Sequence, residues 1–242
     1  MRVEARTTAL VFFAALALPR PAFAMHLSDG ILPLGWAALW TVVALPFLVI
    51  AVAQLRRRSH ADAQHRTMVA MVAAAVFAIS CMPVPVPLTG TCSHPCGTGL
   101  AAILLGPWAT VIVAFVALLL QALFLAHGGL TTLGANVLSM GIAGTFVGYL
   151  TYRGLRRCGL GMAGAAFAAG LLSDWATYAT TSAELALGLH GNGSAFSLFK
   201  AVLLAFVPTQ LPLGILEGAF TAGAVVFLAR RRPSLLRVEA QP

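Results

Sequence analysis

Charge is scarce in this chain. Asp, Glu, Lys and Arg make up 9% of its 242 residues, against about 25% in an average soluble domain. Lys200 is the only lysine. A soluble globule needs more polar surface than this, so a soluble enzyme or a nucleic-acid-binding domain is excluded. Disorder is excluded by the opposite excess, since 60% of the residues are hydrophobic and disorder requires low hydrophobicity. Short alternating strands are absent as well. Apolar runs such as Val111–Leu120 are continuous, whereas barrel strands alternate over about ten residues. What remains is an all-α polytopic membrane protein, consistent with a mean hydropathy of +0.90.

Residues 1–24 read as a cleaved signal peptide. Arg2 and Arg6 are followed by an apolar stretch, Thr8–Leu18, and by Ala22-Phe23-Ala24. The rival reading makes Met25 the true initiator. Both place a free amine on Met25. From there, hydropathy predicts spans near 35–54, 66–82, 108–126, 131–152, 160–189 and 198–229 in one membrane domain, 25–232, with a short cytoplasmic tail, 233–242. The apolar segment 98–106 is about 13 Å long as a helix, too short to cross alone.

The net charge of +8 reports orientation. Its arginines cluster at Arg56–Arg58, Arg153–Arg157 and Arg230–Arg232, with no interleaved aromatics of a nucleic-acid footprint. If 98–106 counts as a crossing, eleven of the twelve basic residues beyond position 24 share one side, with Lys200 the exception. The positive-inside rule then favours about seven transmembrane helices in the plasma (inner) membrane, the start at Met25 outside and the C-terminus cytoplasmic. Two small-residue faces predict close helix packing: Ala70, Ala74 and Ala78, and Gly144 with Gly148. Either could serve internal packing or a membrane partner.

Nothing matches the Walker A pattern, H-E-x-x-H or G-x-S-x-G. Uphill transport by such a chain needs a partner or an ion gradient. The chemistry-bearing residues cluster outside the spans. Met25-His26 can offer its α-amine, the His26 backbone nitrogen and His26 Nδ1 to one metal through fused chelate rings. A further imidazole nitrogen completes a square plane, which suits Ni(II) or Cu(II). Amide deprotonation makes such binding strengthen as pH rises. The loop 83–97, rich in Pro and Gly, is expected to cap or line a cavity. Its Cys92-Ser93-His94-Pro95-Cys96 could hold Zn(II) or Cu(I), form a disulfide, or carry free thiols. Asp174, Glu184 and Glu217 lie in apolar stretches, where charge is costly. His60 and His65 are expected to be solvated beside the Arg cluster, and His190 to sit in a Gly-rich loop.

These stretches resemble the CbiM/NikM family, the substrate-capture components of energy-coupling-factor cobalt and nickel importers. The resemblance rests on Met25-His26-Leu27-Ser28-Asp29-Gly30, Gly90–Gly99 with Ser93-His94-Pro95, Gly106-Pro107-Trp108, Gln121 through Asn136, and Pro212-Leu213 with Glu217-Gly218. It implies a six-helix core with an extra N-terminal helix. It implies metal ligands from Met25, His26 and His94, with Co(II) or Ni(II) as substrate and no organic cofactor. It further implies His127, Asn136 and Cys96 around the site. The implied partners are a transmembrane coupling protein, two cytoplasmic ATPases and a small accessory membrane subunit; the small-residue face Ala70/Ala74/Ala78, taken with this resemblance, is the candidate dock for the coupling protein. Cys96 departs from the family, where a hydroxyl residue such as Thr is usual. A self-sufficient secondary transporter or channel and a membrane enzyme with a Cys/His metal centre are the rival classes.

Overall fold

A computed structural model describes residues 26–61, 63–82, 84–85, 92–233 and 235. The proposed leader and Met25 lie outside the described residues, as does nearly all of the tail. Helix α1 (Leu34–Ala61) is followed by α2 (Ala63–Ser80), a two-residue β1 (Val84–Pro85) paired antiparallel with β2 (Cys92–Ser93), and the short α3 (Thr98–Leu105). Helix α4 (Pro107–Phe124) then returns. Next come α5 (Leu133–Asn136), a π-helical stretch (Val137–Gly144) and α6 (Thr145–Arg157), which run on as one 25-residue span. Helices α7 (Met162–Leu189) and α8 (Ala195–Arg231) complete the bundle. Apart from the tiny ladder, the architecture is all-helical, as the apolar runs predict.

Four of these spans are long and apolar enough to cross a membrane by length and composition alone: those starting at Leu34, Pro107, Leu133 and Ala195. Large apolar side chains face outward. On α1, Leu39, Val42, Leu45, Val49 and Val52 are exposed, and on α8 Leu204, Val207, Leu211 and Ile215 are. Their spacing of three and four makes one stripe per helix. Small and polar residues turn inward, among them Thr98, Ser139, Ser173, Thr177 and Thr221. This is the arrangement expected where lipid removes the hydrophobic drive for association and packing of small groups replaces it.

Local sequence sets the helix ends. Pro107 starts α4, where its missing N–H costs nothing. Ser194 caps α8 by accepting a hydrogen bond from the Ser197 amide at 3.3 Å. Gly106 joins α3 to α4 with φ of 78°, a conformation glycine adopts without penalty.

The short helix α3 is a half-span with a full-span destination. Seven of its eight residues are buried, so it lies among the other helices. A Cβ placed on Gly106 would lie 3.9 Å from the Arg58 guanidinium, so α3 delivers the chain to the Arg-cluster end of the bundle. Its start is sunk. The amides of Cys96 and Gly97 bond to Glu217, which stands about 33 Å from the start of α8 and about 21 Å from its end. The loop before α3 therefore re-enters the bundle, and eight residues suffice for the remaining depth. Counting α3, the chain passes between the two ends seven times.

Glycine welds the bundle. A Cβ on Gly99 would come within 3.0 Å of the Gly170 Cα, and one on Gly148 within 3.3 Å of the Gly99 Cα. One on Gly144 would strike Thr177 Oγ1. The Gly144/Gly148 face thus serves internal packing of α6 on α7 and α3. Ala70, Ala74 and Ala78 behave differently, since all three are exposed on α2. His65 corrects the sequence expectation. It is 5% exposed rather than solvated, because α2 turns it inward one helical turn from buried Met68. The His60 side chain lies outside the described residues.

Candidate metal centre

Three histidines from distant parts of the sequence meet at the end of the bundle opposite the arginines. The ring centroids of His26 and His94 are 4.8 Å apart, those of His26 and His127 are 5.1 Å apart, and those of His94 and His127 are 4.9 Å apart. One ring nitrogen from each lies within 4.8 Å of the others. His26 and His94 are buried, and His127 is half-buried. Nε2 of His26 and of His127 are buried without a hydrogen-bond partner among the described residues.

All three imidazoles are held neutral, the form that ligates metal. Burial, then the neighbouring His94 and His127, hold His26 well below the usual histidine range, against the opposing effect of a hydrogen-bond interaction with the Gln121 side chain. Burial and His127 push His94 down to about 3. Burial also lowers His127. His94 Nδ1 lies 3.1 Å from the Pro95 carbonyl oxygen. A carbonyl can only accept, so Nδ1 carries the proton and Nε2 keeps its lone pair.

Each histidine is placed by its loop. The turn after α4 bends sharply at Ala126, φ 48°, and Gly128, φ 81°, which brings His127 back over the bundle end. A Cβ on Gly128 would lie 3.2 Å from His26 Cβ. The N-terminal segment is latched at three points. Leu27 N–H donates to Asn136 Oδ1 at 2.8 Å, and Asn136 Nδ2 donates to Leu27 O at 3.0 Å. The Thr132 hydroxyl also donates to Leu27 O. Asp29 Oδ1 accepts from the Thr131 amide at 2.8 Å and from its hydroxyl at 2.5 Å. The Thr131 hydroxyl and amide accordingly keep the Asp29 carboxyl below its usual range. Asn136 thus grips the peptide next to His26, which gives the residue expected near the site a defined task. The Asp29 and Thr132 latches were not singled out from sequence as site residues. The only signal was their membership of the two matching stretches.

Cys96 enters a different group. Its thiol, Asp174 and Glu217 offer ligand atoms within 4.8 Å of one another, all three buried. Cys96 is a free cysteine, so the disulfide reading of the Cys92/Cys96 pair does not hold. The Cys92 side chain lies outside the described residues. Glu184 is also buried, with both carboxylate oxygens unpartnered among the described residues. His190 is half-buried at the end of α7, away from the histidine cluster in sequence.

Comparison with known proteins agrees over almost the whole chain. Residues 26–235 match the family model CbiM, the cobalt uptake substrate-specific transmembrane region. A cobalt transport protein CbiM of Sorangium cellulosum is 66% identical over 212 residues, covering 88% of this chain and 94% of that protein. Another, of Geobacter sulfurreducens, is 57% identical over 235 residues, covering 97% of this chain and 68% of that one. The crystal structure of a truncated transition metal transporter superposes with a TM-score of 0.75 at 28% identity, covering 86% of this chain and 99% of its own. A second crystal structure of a transition metal transporter matches equally well and is covered over 93%. The seven-pass helical bundle, the family match along residues 26–235 and the high identity to curated relatives together establish that this multi-pass membrane chain belongs to the CbiM family.

Proposed function

We propose that the chain is the metal-capturing membrane subunit of an energy-coupling-factor importer for Co(II) or Ni(II). The observation that carries the reading is the convergence of His26, His94 and His127, with Nε2 of His26 and His127 buried and unpartnered among the described residues, beside a latched N-terminal segment. The cargo is held by the Met25 amine, the His26 backbone nitrogen and imidazole, and His94 Nε2. His127 closes the neighbouring side. The relatives' names support cobalt, and a planar set of nitrogen donors also accommodates Ni(II). The step is non-covalent translocation. Positive-inside counting puts the histidine end outside the inner membrane and the Arg end in the cytoplasm.

Energy comes from two cytoplasmic ATPases acting through a transmembrane coupling protein, with a small accessory membrane subunit completing the complex. The coupling protein docks on the Ala70/Ala74/Ala78 face, which the described residues leave uncovered. Replacing all three with Leu is expected to abolish co-purification of the coupling protein while metal binding persists. Intact assembly would remove this docking face from the reading.

The central test joins N-terminal sequencing to metal analysis of the purified protein. Metal-loaded chains are expected to begin at Met25, and acetylation of that amine or His94→Ala is expected to lower affinity at least 100-fold. Metal-loaded chains that still begin at Met1 would refute the amine ligand.

A further inference from the structure

We propose that Cys96, Asp174 and Glu217 form a second, inner cation site, which receives a divalent transition-metal ion from the histidine cluster on its way through the bundle. The inference rests on the transport reading and adds a station to it.

Three elements contribute to the group: the loop before α3, the middle of α7 and the middle of α8. Asp174 is 0% exposed, and its Oδ2 finds no hydrogen-bond partner among the described residues. Its Oδ1 lies 4.0 Å from Cys96 Sγ. A buried carboxylate oxygen without a donor is expensive, and buried acids inside a membrane mark pathways for ions or protons. Glu217 is 1% exposed and accepts the Cys96 and Gly97 amides, each at 2.8 Å. An ionised carboxylate has about four lone-pair positions, so two remain after these bonds. Next to Asp174, α8 carries Gly214, where a Cβ would stand 3.1 Å from Asp174 Oδ2 and closer still to Trp175 Nε1. Among the described residues, no Arg or Lys is one of the groups acting on either acid.

Charge decides the ligand class. Two buried carboxyl groups with no basic partner among the described residues can each give up a proton to a divalent cation, whose two charges the resulting carboxylates then cancel. A thiol sulfur and carboxylate oxygens together accept Co(II), Ni(II) or Zn(II), and the thiol disfavours Mg(II) and Ca(II), which take oxygen donors alone.

Position decides the role. Cys96 lies two residues beyond His94, at most about 7 Å along the chain. Glu217 and Asp174 stand near mid-depth of their helices. A cation bound here draws on the same Glu217 oxygens that hold the Cys96 and Gly97 amides. The inner site and the turn that carries His94 therefore share one carboxylate, which couples the two stations.

The test uses the full chain with Cys81, Cys92 and Cys158 replaced by Ser, leaving Cys96 as the only thiol. The purified protein is titrated with Co(II) alone, and the near-ultraviolet thiolate-to-cobalt charge-transfer absorption is recorded. A Cys96-dependent band is expected. It should survive His94→Ala, vanish in Cys96→Ser, and need at least tenfold more Co(II) in Asp174→Asn. Visible ligand-field absorption from cobalt on the histidine cluster, retained in Cys96→Ser and Asp174→Asn, shows that these variants are folded. It also reads the outer site separately, so loss of that signal counts against the transport reading and not against the inner site. Absence of a Cys96-dependent band at saturating Co(II), or a band indifferent to Asp174→Asn, overturns the proposal.

Discussion

Asn136→Ala tests whether the latch on the N-terminal segment makes the metal centre. The carboxamide holds both sides of the Leu27 peptide, accepting from its N–H at 2.8 Å and donating to its C=O at 3.0 Å. In the alanine variant the carbonyl retains the Thr132 hydroxyl, but the buried Leu27 N–H is left without its acceptor. An orphaned buried donor costs about 1–3 kcal/mol. At about 1.4 kcal/mol per tenfold, the metal should bind about 5- to 100-fold more weakly, the range typical of groups that orient a ligand. Asn136→Asp keeps the acceptor and loses the donor, so its loss should be smaller. Isothermal titration of the purified full chain with Ni(II) measures the affinities. Hydrogen exchange at residues 26–32 should rise in parallel. If Asn136→Ala binds within about twofold of the parent with exchange unchanged, the latch does not organise the site and the reasoning fails.

Two further outcomes follow from the same geometry. Gly128→Ala forces φ of 81° on an L-residue and sets its Cβ 3.2 Å from His26 Cβ, so His26 is displaced; metal affinity should fall at least tenfold, measured by the same titration, while helicity by circular dichroism is unchanged. The histidine cluster also predicts an acid-side loss of stability in the metal-free protein. His94 falls to about 3 in the folded state against about 6.5 unfolded, so between those values the unfolded chain binds more protons and stability declines as pH falls. Thermal unfolding midpoints of metal-free protein should drop from pH 6.5 toward pH 4, and His94→Gln should flatten that slope.

Much of the fold was legible because lipid imposes simple demands. Apolar runs gave the long spans, and the arginine clusters gave the parity that counted 98–106 as a crossing. The reason that segment can be so short was not legible. It depends on Glu217 reaching the Cys96 and Gly97 amides across more than a hundred residues of sequence. The site divides in the same way. Met25-His26 after a leader-like stretch and His94 in a Pro- and Gly-rich loop have local chemical signatures. His127 and Asn136 came from resemblance, and their geometry comes from a turn with positive φ at Ala126 and Gly128. Cys96 reads as a neighbour of His94 on spacing alone, yet its thiol faces Asp174. His65 lies between polar neighbours, so no local pattern reveals its burial. Exposure of Ala70, Ala74 and Ala78 could not be read from their spacing, because the same pattern on Gly144 and Gly148 serves an internal contact.

The sunken start of α3 has an electrical consequence. A divalent ion held at the depth of Cys96 lies about halfway across the insulating layer. Moving one charge through the full membrane potential is worth about 2.3 kcal/mol per 100 mV, so two charges over half the field gain about the same amount. In the proposed orientation, with the histidine end outside and the cytoplasm negative, the membrane voltage itself would draw the cation down to the start of that helix.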